Sequence, residues 1–154
     1  MAKARDIALD EAQTFDEAAR MALRIRAEEV FEHAAGVLDT SDIERVHAMR
    51  VATRRLRAVM EIFAPAFPKK PHRAVLKEVK ALADALGERR DPDVAIEAMA
   101  KIADALTAQD RPGIDHLIAE LRDEQHGANA ELAKALQAIE ESDLRGRLRA
   151  LAAA

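Results

Sequence analysis

Apolar residues in this chain recur at steps of three and four between a few breakers, and that periodicity commits it to helices. Ala52, Leu56, Val59 and Phe63 form one such stripe, with Met49 and Met60 on its flanks, and Leu76, Val79, Ala83 and Leu86 form another. Ala and Leu are abundant and β-branched residues scarce, which favours helix over sheet. Only five Gly and five Pro are available to make turns. The 154 residues suit one domain with a real core, and 49% hydrophobic residues are too many for a disordered chain.

Local signals divide the chain further. Residues 1–13 are expected to form a loosely ordered N-terminal segment ahead of a bundle over 14–154. Thr14 and Glu17 have capping-box spacing and open a helix over about 14–38, and Ser41 with Glu44 opens a second that runs to about Phe63. Pro65, Pro68 and Pro71 make a non-helical connector. A third helix over about 72–86 is expected to stop at Gly87, and Asp91-Pro92 to cap a fourth that ends near Leu106. In that reading Asp93 sits in a first turn, where the helix dipole favours it. A segment over about 114–140 follows, with Ile114, Leu117, Leu121, Leu132 and Leu136 as core positions and Gly127 as a candidate interruption. Ser142 starts a last short helix. The expected architecture is an all-α antiparallel bundle of about six helices.

Charge is distributed unevenly. Residues 45–90 hold 12 Lys/Arg and 4 Asp/Glu, a net of +8, whereas the remainder holds 12 and 24, a net of −12. Within the basic block His47, Arg50, Arg54 and Arg57 fall on one side of the second helix, opposite its apolar stripe, over about 15 Å. Like charges at these spacings destabilise a helix, and Glu61 is the acid that interleaves them. Arg73, Lys77 and Lys80 repeat the pattern on the third helix, with Asp84 as an exception on its basic side. If the two helices pack side by side, the rows line one groove suited to a linear polyanion. Arginine's planar fork donates two parallel hydrogen bonds to phosphate oxygens. Asp91 and Asp93 are read as bracing the turn around them. Arg90 either reaches the groove or pairs with an acid.

Other chemistry is poorly provided for. The chain has no Cys, so disulfides, thiolate metal sites and cysteine nucleophiles are excluded. Trp and Tyr are absent, which argues against a base-stacking platform. His33 and His72 are read as surface or hydrogen-bonded polar residues. No run of about 18 apolar residues provides a membrane span, and the charged first ten residues lack the apolar core of a signal peptide. A cytoplasmic protein is expected.

The stretch His47-Ala-Met-Arg50-Val-Ala-Thr-Arg54-Arg55-Leu-Arg57 resembles the CHAD domain, the conserved-histidine α-helical domain. The later Leu86-Gly87-Glu-Arg-Arg90-Asp91-Pro-Asp93-Val94 is similar to a second motif of that family. The resemblance covers about 14–153. It implies a non-enzymatic helical module that binds inorganic polyphosphate, with His47, Arg50, Arg54 and Arg57 toward phosphate. Arg55 matches the motif but points aside on the helical wheel, and Lys77, Lys80 and Arg90 match less strictly. A full domain of this kind looks like two similar halves, and only one is visible here. A homodimer that sets the same basic face on both subunits rebuilds the missing wall by two-fold symmetry.

The expected function is therefore polyphosphate binding through His47, Arg50, Arg54, Arg55, Arg57, Arg73, Lys77, Lys80 and Arg90, with possible recruitment to polyphosphate granules. Nucleic-acid binding through the same face is the alternative, disfavoured by the acidic total and the missing aromatics. A structural bundle without ligand is the other. No catalytic residue, cofactor or metal site is expected. Asp91 and Asp93 are the only acid pair near the block that a phosphohydrolase reading has to offer, and capping accounts for them.

Overall fold

The computed structural model describes residues 3–11 and 13–154. Positions 1, 2 and 12 of the N-terminal segment lie outside the described residues. Five helices follow one another: α1 (Phe15–Glu32), α2 (Ile43–Ile62), α3 (Lys69–Ala105), α4 (Arg111–Glu141) and α5 (Leu144–Ala153). A 3-10 turn, Ala64–Ala66, joins α2 to α3. The described residues contain no strand, and none of their helices is long and apolar enough to cross a membrane. The all-α bundle is as expected, with five helices in place of about six.

Local chemistry explains most of the boundaries. Thr14 and Glu17 form the expected capping box: the Thr14 hydroxyl accepts from the Glu17 amide, and the Glu17 carboxylate accepts from the Thr14 amide at 2.8 Å. Helix α1 stops at Glu32, short of 38, because the chain turns through Gly36, whose φ of 71° lies in the left-handed region. The second capping box does not form. The Ser41 hydroxyl and amide donate to Asp39 at 2.7 and 2.9 Å, and Asp42 becomes the N-cap of α2. Pro71 lies in the first turn of α3, where a missing N–H costs little. Ser142 is the C-cap of α4 and does not start α5. Asp143, at φ 49°, reverses the chain and caps α5 through the Gly146 amide at 3.1 Å.

The largest departure is α3. The helices expected over 72–86 and 92–106 are one rod of 37 residues, with Gly87, Asp91 and Pro92 inside it. Pro92 removes the bond that the Glu88 carbonyl would accept and costs roughly 3 kcal/mol in a helix interior. A buried polar network spans the break. Arg89 is 0% exposed and forms an ion pair with Asp93, one turn on and 1% exposed. Gln125 of α4 donates to Asp93 at 2.6 Å, and Arg89 donates to Asn129 at 3.0 Å. Asn129 in turn donates to the Leu38 carbonyl at 3.0 Å, which ties the α1–α2 loop into the same network. Asp93 is thus a buried counter-ion rather than a first-turn acid, and exposed Asp91 caps nothing.

The core lies where α1, α2, α3 and α5 meet, built on Leu23, Val30, Met49, Leu56, Met60, Val79, Leu82 and Leu86, with Leu132 reaching in from α4. Met49 and Met60 are fully buried while Val59 and Phe63 are only partly so, because α2 packs against α1 and α3 at once. His72 is buried, donates to the Met60 carbonyl at 2.8 Å and stacks on Phe67. Helix α5 is clamped by charge. Arg145 and Arg149 bind Glu28, whose carboxyl is held down to about 2 first by the Arg149 hydrogen bond and then by that of Arg145. Arg147 binds Glu78 of α3. In the N-terminal segment, the Arg5 amide donates to Glu29 at 2.6 Å and the Arg5 side chain pairs with Glu32.

In α4 only Gln125, Leu132 and Ile139 are buried. Gly127 does not interrupt the helix. Of the other expected core positions, Leu136 packs partly against the core, Ile114 and Leu121 are half-buried, and Leu117 is exposed. Over residues 114–121 of α4 no position is buried, so the apolar stripe there is only partly covered.

Candidate functional site

Helices α2 and α3 are antiparallel neighbours, and their cationic residues meet along one seam. Glu61 of α2 marks its far end, with Arg57 at 3.0 Å and Lys80 of α3 at 3.2 Å. The Arg57 bond first, and then that of Lys80, holds the Glu61 carboxyl below the usual range. Near the other end Arg50 lies over Gly87 of α3, its Nε 4.0 Å from where a Cβ would stand. Between these points is an open cavity of about 470 Å³, lined by Arg50, Arg54, Arg57, Ala83, Asp84, Gly87, Glu88 and Asp91.

The cavity is mixed in sign, which the helical wheel of α2 alone does not show. Asp84, Glu88 and Asp91 follow one another at steps of four and three, so a continuous α3 presents all three on the seam. An α3 broken at Gly87 gives no reason to align Glu88 and Asp91 with Asp84. Even so, none of the three acids neutralises an arginine by direct contact. Among the described residues Arg50 and Arg54 make no ion pair and no side-chain hydrogen bond.

The other candidates spread out from this centre. Arg73 and Lys77 are exposed on the first turns of α3, before Lys80, and are likewise without an ion pair among the described residues. His47, one turn before Arg50, is half-buried, and its Nδ1 is buried without a partner. Arg90 is half-buried with Nη1 in the same condition. Arg55 belongs elsewhere. It faces α1, where its charge acts on Glu29. Burial pushes the Glu29 carboxyl up, but the Arg5 amide, the Arg26 guanidinium and the Arg26 and Arg55 charges outweigh it and leave the group below its ordinary value. Arg55 is therefore removed from the groove set.

The network of Arg89, Asp93, Gln125 and Asn129 was not among the expected site residues. Its one legible signal was an Arg and an Asp four residues apart, the spacing of a helical ion pair. It separates the two acids of the second motif. Asp91 lines the α2–α3 cavity, while Asp93 lines a different one of about 440 Å³ beside Thr40, Ser41 and Arg122.

Gly87 does not stop a helix: it lies inside α3, beneath the Arg50 side chain. A methyl group at 4.0 Å from Arg50 is in ordinary contact. Gly87→Ala is expected to raise stability by up to about 1 kcal/mol through helix propensity. A thermal melt that shows a loss instead would mean that α3 needs a glycine backbone here.

A family model for the CHAD domain matches residues 16–154. No curated protein and no solved structure matches the chain. The matched span takes in all of α2 to α5 and α1 from its second residue, with both motifs and the seam between them, and the chain belongs to the CHAD domain family.

Proposed function

We propose that the chain binds inorganic polyphosphate along the α2–α3 seam without hydrolysing it. The observation that carries the reading is that Arg50 and Arg54 stand in the cavity with no carboxylate on either guanidinium among the described residues. Several arginines elsewhere in the protein are matched with acids, as Arg145, Arg147 and Arg149 are on α5. The cations of α3 are also badly placed for stability. Lys69, Lys70 and Arg73 crowd a helix N-terminus that has no acid in its first turn, against the dipole. Groups kept in this way at a cost to the helix suit an anion supplied from outside. The family membership supports the same reading.

His47, Arg50, Arg54, Arg57, Arg73, Lys77, Lys80 and Arg90 form the proposed binding set. Glu61, Asp84, Glu88 and Asp91 lower the local potential, so a long chain that reaches many cations is favoured over a single phosphate. Binding without turnover fits the placement of the acids: Asp93 is committed to Arg89 and Gln125 and cannot join Asp91 in holding a metal. Placement at polyphosphate granules belongs to the same proposal.

A calorimetric titration with long-chain polyphosphate at two salt concentrations tests it. Affinity is expected to fall steeply with salt, as counterion release requires. Polyphosphate is expected to outcompete DNA and RNA at physiological salt. Preference for a nucleic acid would reassign the site, and no binding at low salt would refute it.

A further inference from the structure

The α3–α4 hairpin leaves the bundle as a bare arm. Of residues 94–124 only Ala103 is buried. Val94, Ile102, Leu106 and Leu117 are 36–49% exposed, although two paired helices would normally turn such residues toward a third element. The arm is acidic: residues 95–126 contain seven Asp/Glu and three Lys/Arg.

We infer that the arm docks on the α2–α3 groove of a second copy of this chain, so that a two-fold dimer covers both grooves reciprocally. The inference rests on the groove being the anion-binding face.

Three observations select this occupant. The first is direction. Gly87, Asp91, Val94, Ala98 and Ile102 follow one another along α3 at steps of four, three, four and four, so the arm's apolar strip continues the side of α3 that borders the groove. A two-fold axis across that side, near Pro92, lays each arm along the partner's groove. The second is length. The arm extends about 17 Å along α3 from residue 94 to 105, and the groove runs about 17 Å from Arg50 to Glu61. The third is the match of surfaces. Acids of the arm meet the unpaired Arg50 and Arg54. A polyanion then competes with the partner's arm for one set of arginines, and binding opens the dimer.

Light scattering on charge-swapped variants tests this. Wild type at low salt is expected to have the mass of a dimer and to become monomeric on addition of tripolyphosphate, which is too short to bridge two copies. Arg50→Glu with Arg54→Glu is expected to be monomeric. So is Glu120→Arg with Glu124→Arg, two acids that share the Leu117 side of α4. The two variants mixed are expected to pair, because the acidic arm of one meets the unchanged groove of the other, and in the second contact the substituted positions are opposite in charge. The arm variant keeps its groove and should bind tripolyphosphate at least as tightly as wild type. A wild type that stays monomeric overturns the inference, leaves the arm to another partner and leaves the groove reading standing. A dimer that the arm substitutions do not weaken, or a mixture that fails to pair, overturns it as well. If no polyphosphate binds to any variant the groove reading fails, and the charge-swap mixture still decides the dimer.

Discussion

Arg50→Glu combined with Arg54→Glu is expected to remove polyphosphate binding while leaving the far-ultraviolet circular dichroism of the protein unchanged. The two guanidinium groups stand at the centre of the α2–α3 cavity and serve no partner among the described residues. Their replacement therefore breaks no internal ion pair, and exposed or half-exposed substitutions of this kind usually change stability by no more than about 0.5 kcal/mol. Binding responds very differently. A hydrogen bond to a charged group contributes about 1.5–3 kcal/mol, so loss of two costs at least about a hundredfold in affinity. The new carboxylates add repulsion beside Asp84 and Glu88. Titration calorimetry that returned wild-type affinity for the double variant would place the site elsewhere on the molecule.

The second large effect concerns stability. Asp93→Ala is expected to destabilise the fold by about 3–5 kcal/mol, because it strands the fully buried Arg89 charge. Gln125 loses its acceptor at the same time. That loss is a large share of the roughly 5–15 kcal/mol that holds a domain of this kind together. The paired replacement Arg89→Met with Asp93→Leu separates the causes. It removes both charges and keeps apolar volume, so most of the lost stability is expected to return. Urea unfolding of the three proteins makes the comparison. A loss below about 1 kcal/mol for Asp93→Ala would mean that water reaches Arg89 and that the network is not what carries α3 past Pro92.

The groove and the network depend on different properties of one helix. Arg89 and Asp93 face α4 and keep α3 continuous. Gly87, Asp84 and Asp91 lie on the opposite seam and profit from that continuity. A break at residue 87 would turn the later half of α3 away from α2 and leave Arg50 without the surface it lies across.

Much of this was legible in the residues alone. The spacing of Ala52, Leu56, Leu76, Val79 and Leu86 is enough to specify packed helices, because a step of three or four is a statement about one helix face. The Thr14–Glu17 cap is local in the same sense: both partners sit within one turn. His47, Arg50, Arg54 and Arg57 could be placed on one side of α2 for that reason, and Arg55 could be set apart from them. Glycine and proline were misleading. Gly87, Asp91 and Pro92 form a strong local stop signal, worth a few kcal/mol at most, and a buried ion pair with partners from α4 outweighs it. Ser41 similarly had a suitable acid at Glu44 but found a nearer one in Asp39.

Periodicity therefore determined that the chain is helical, where its apolar faces lie and which side of α2 carries the arginines. Tertiary packing alone decided that α3 is one rod, that Asp84, Glu88 and Asp91 share the cavity with those arginines, and that the α3–α4 arm stands bare. The reason is physical range. A helical face is set by neighbours within one turn, whereas desolvation of Arg89 and Asp93 depends on Gln125 and Asn129, more than thirty residues away in the chain.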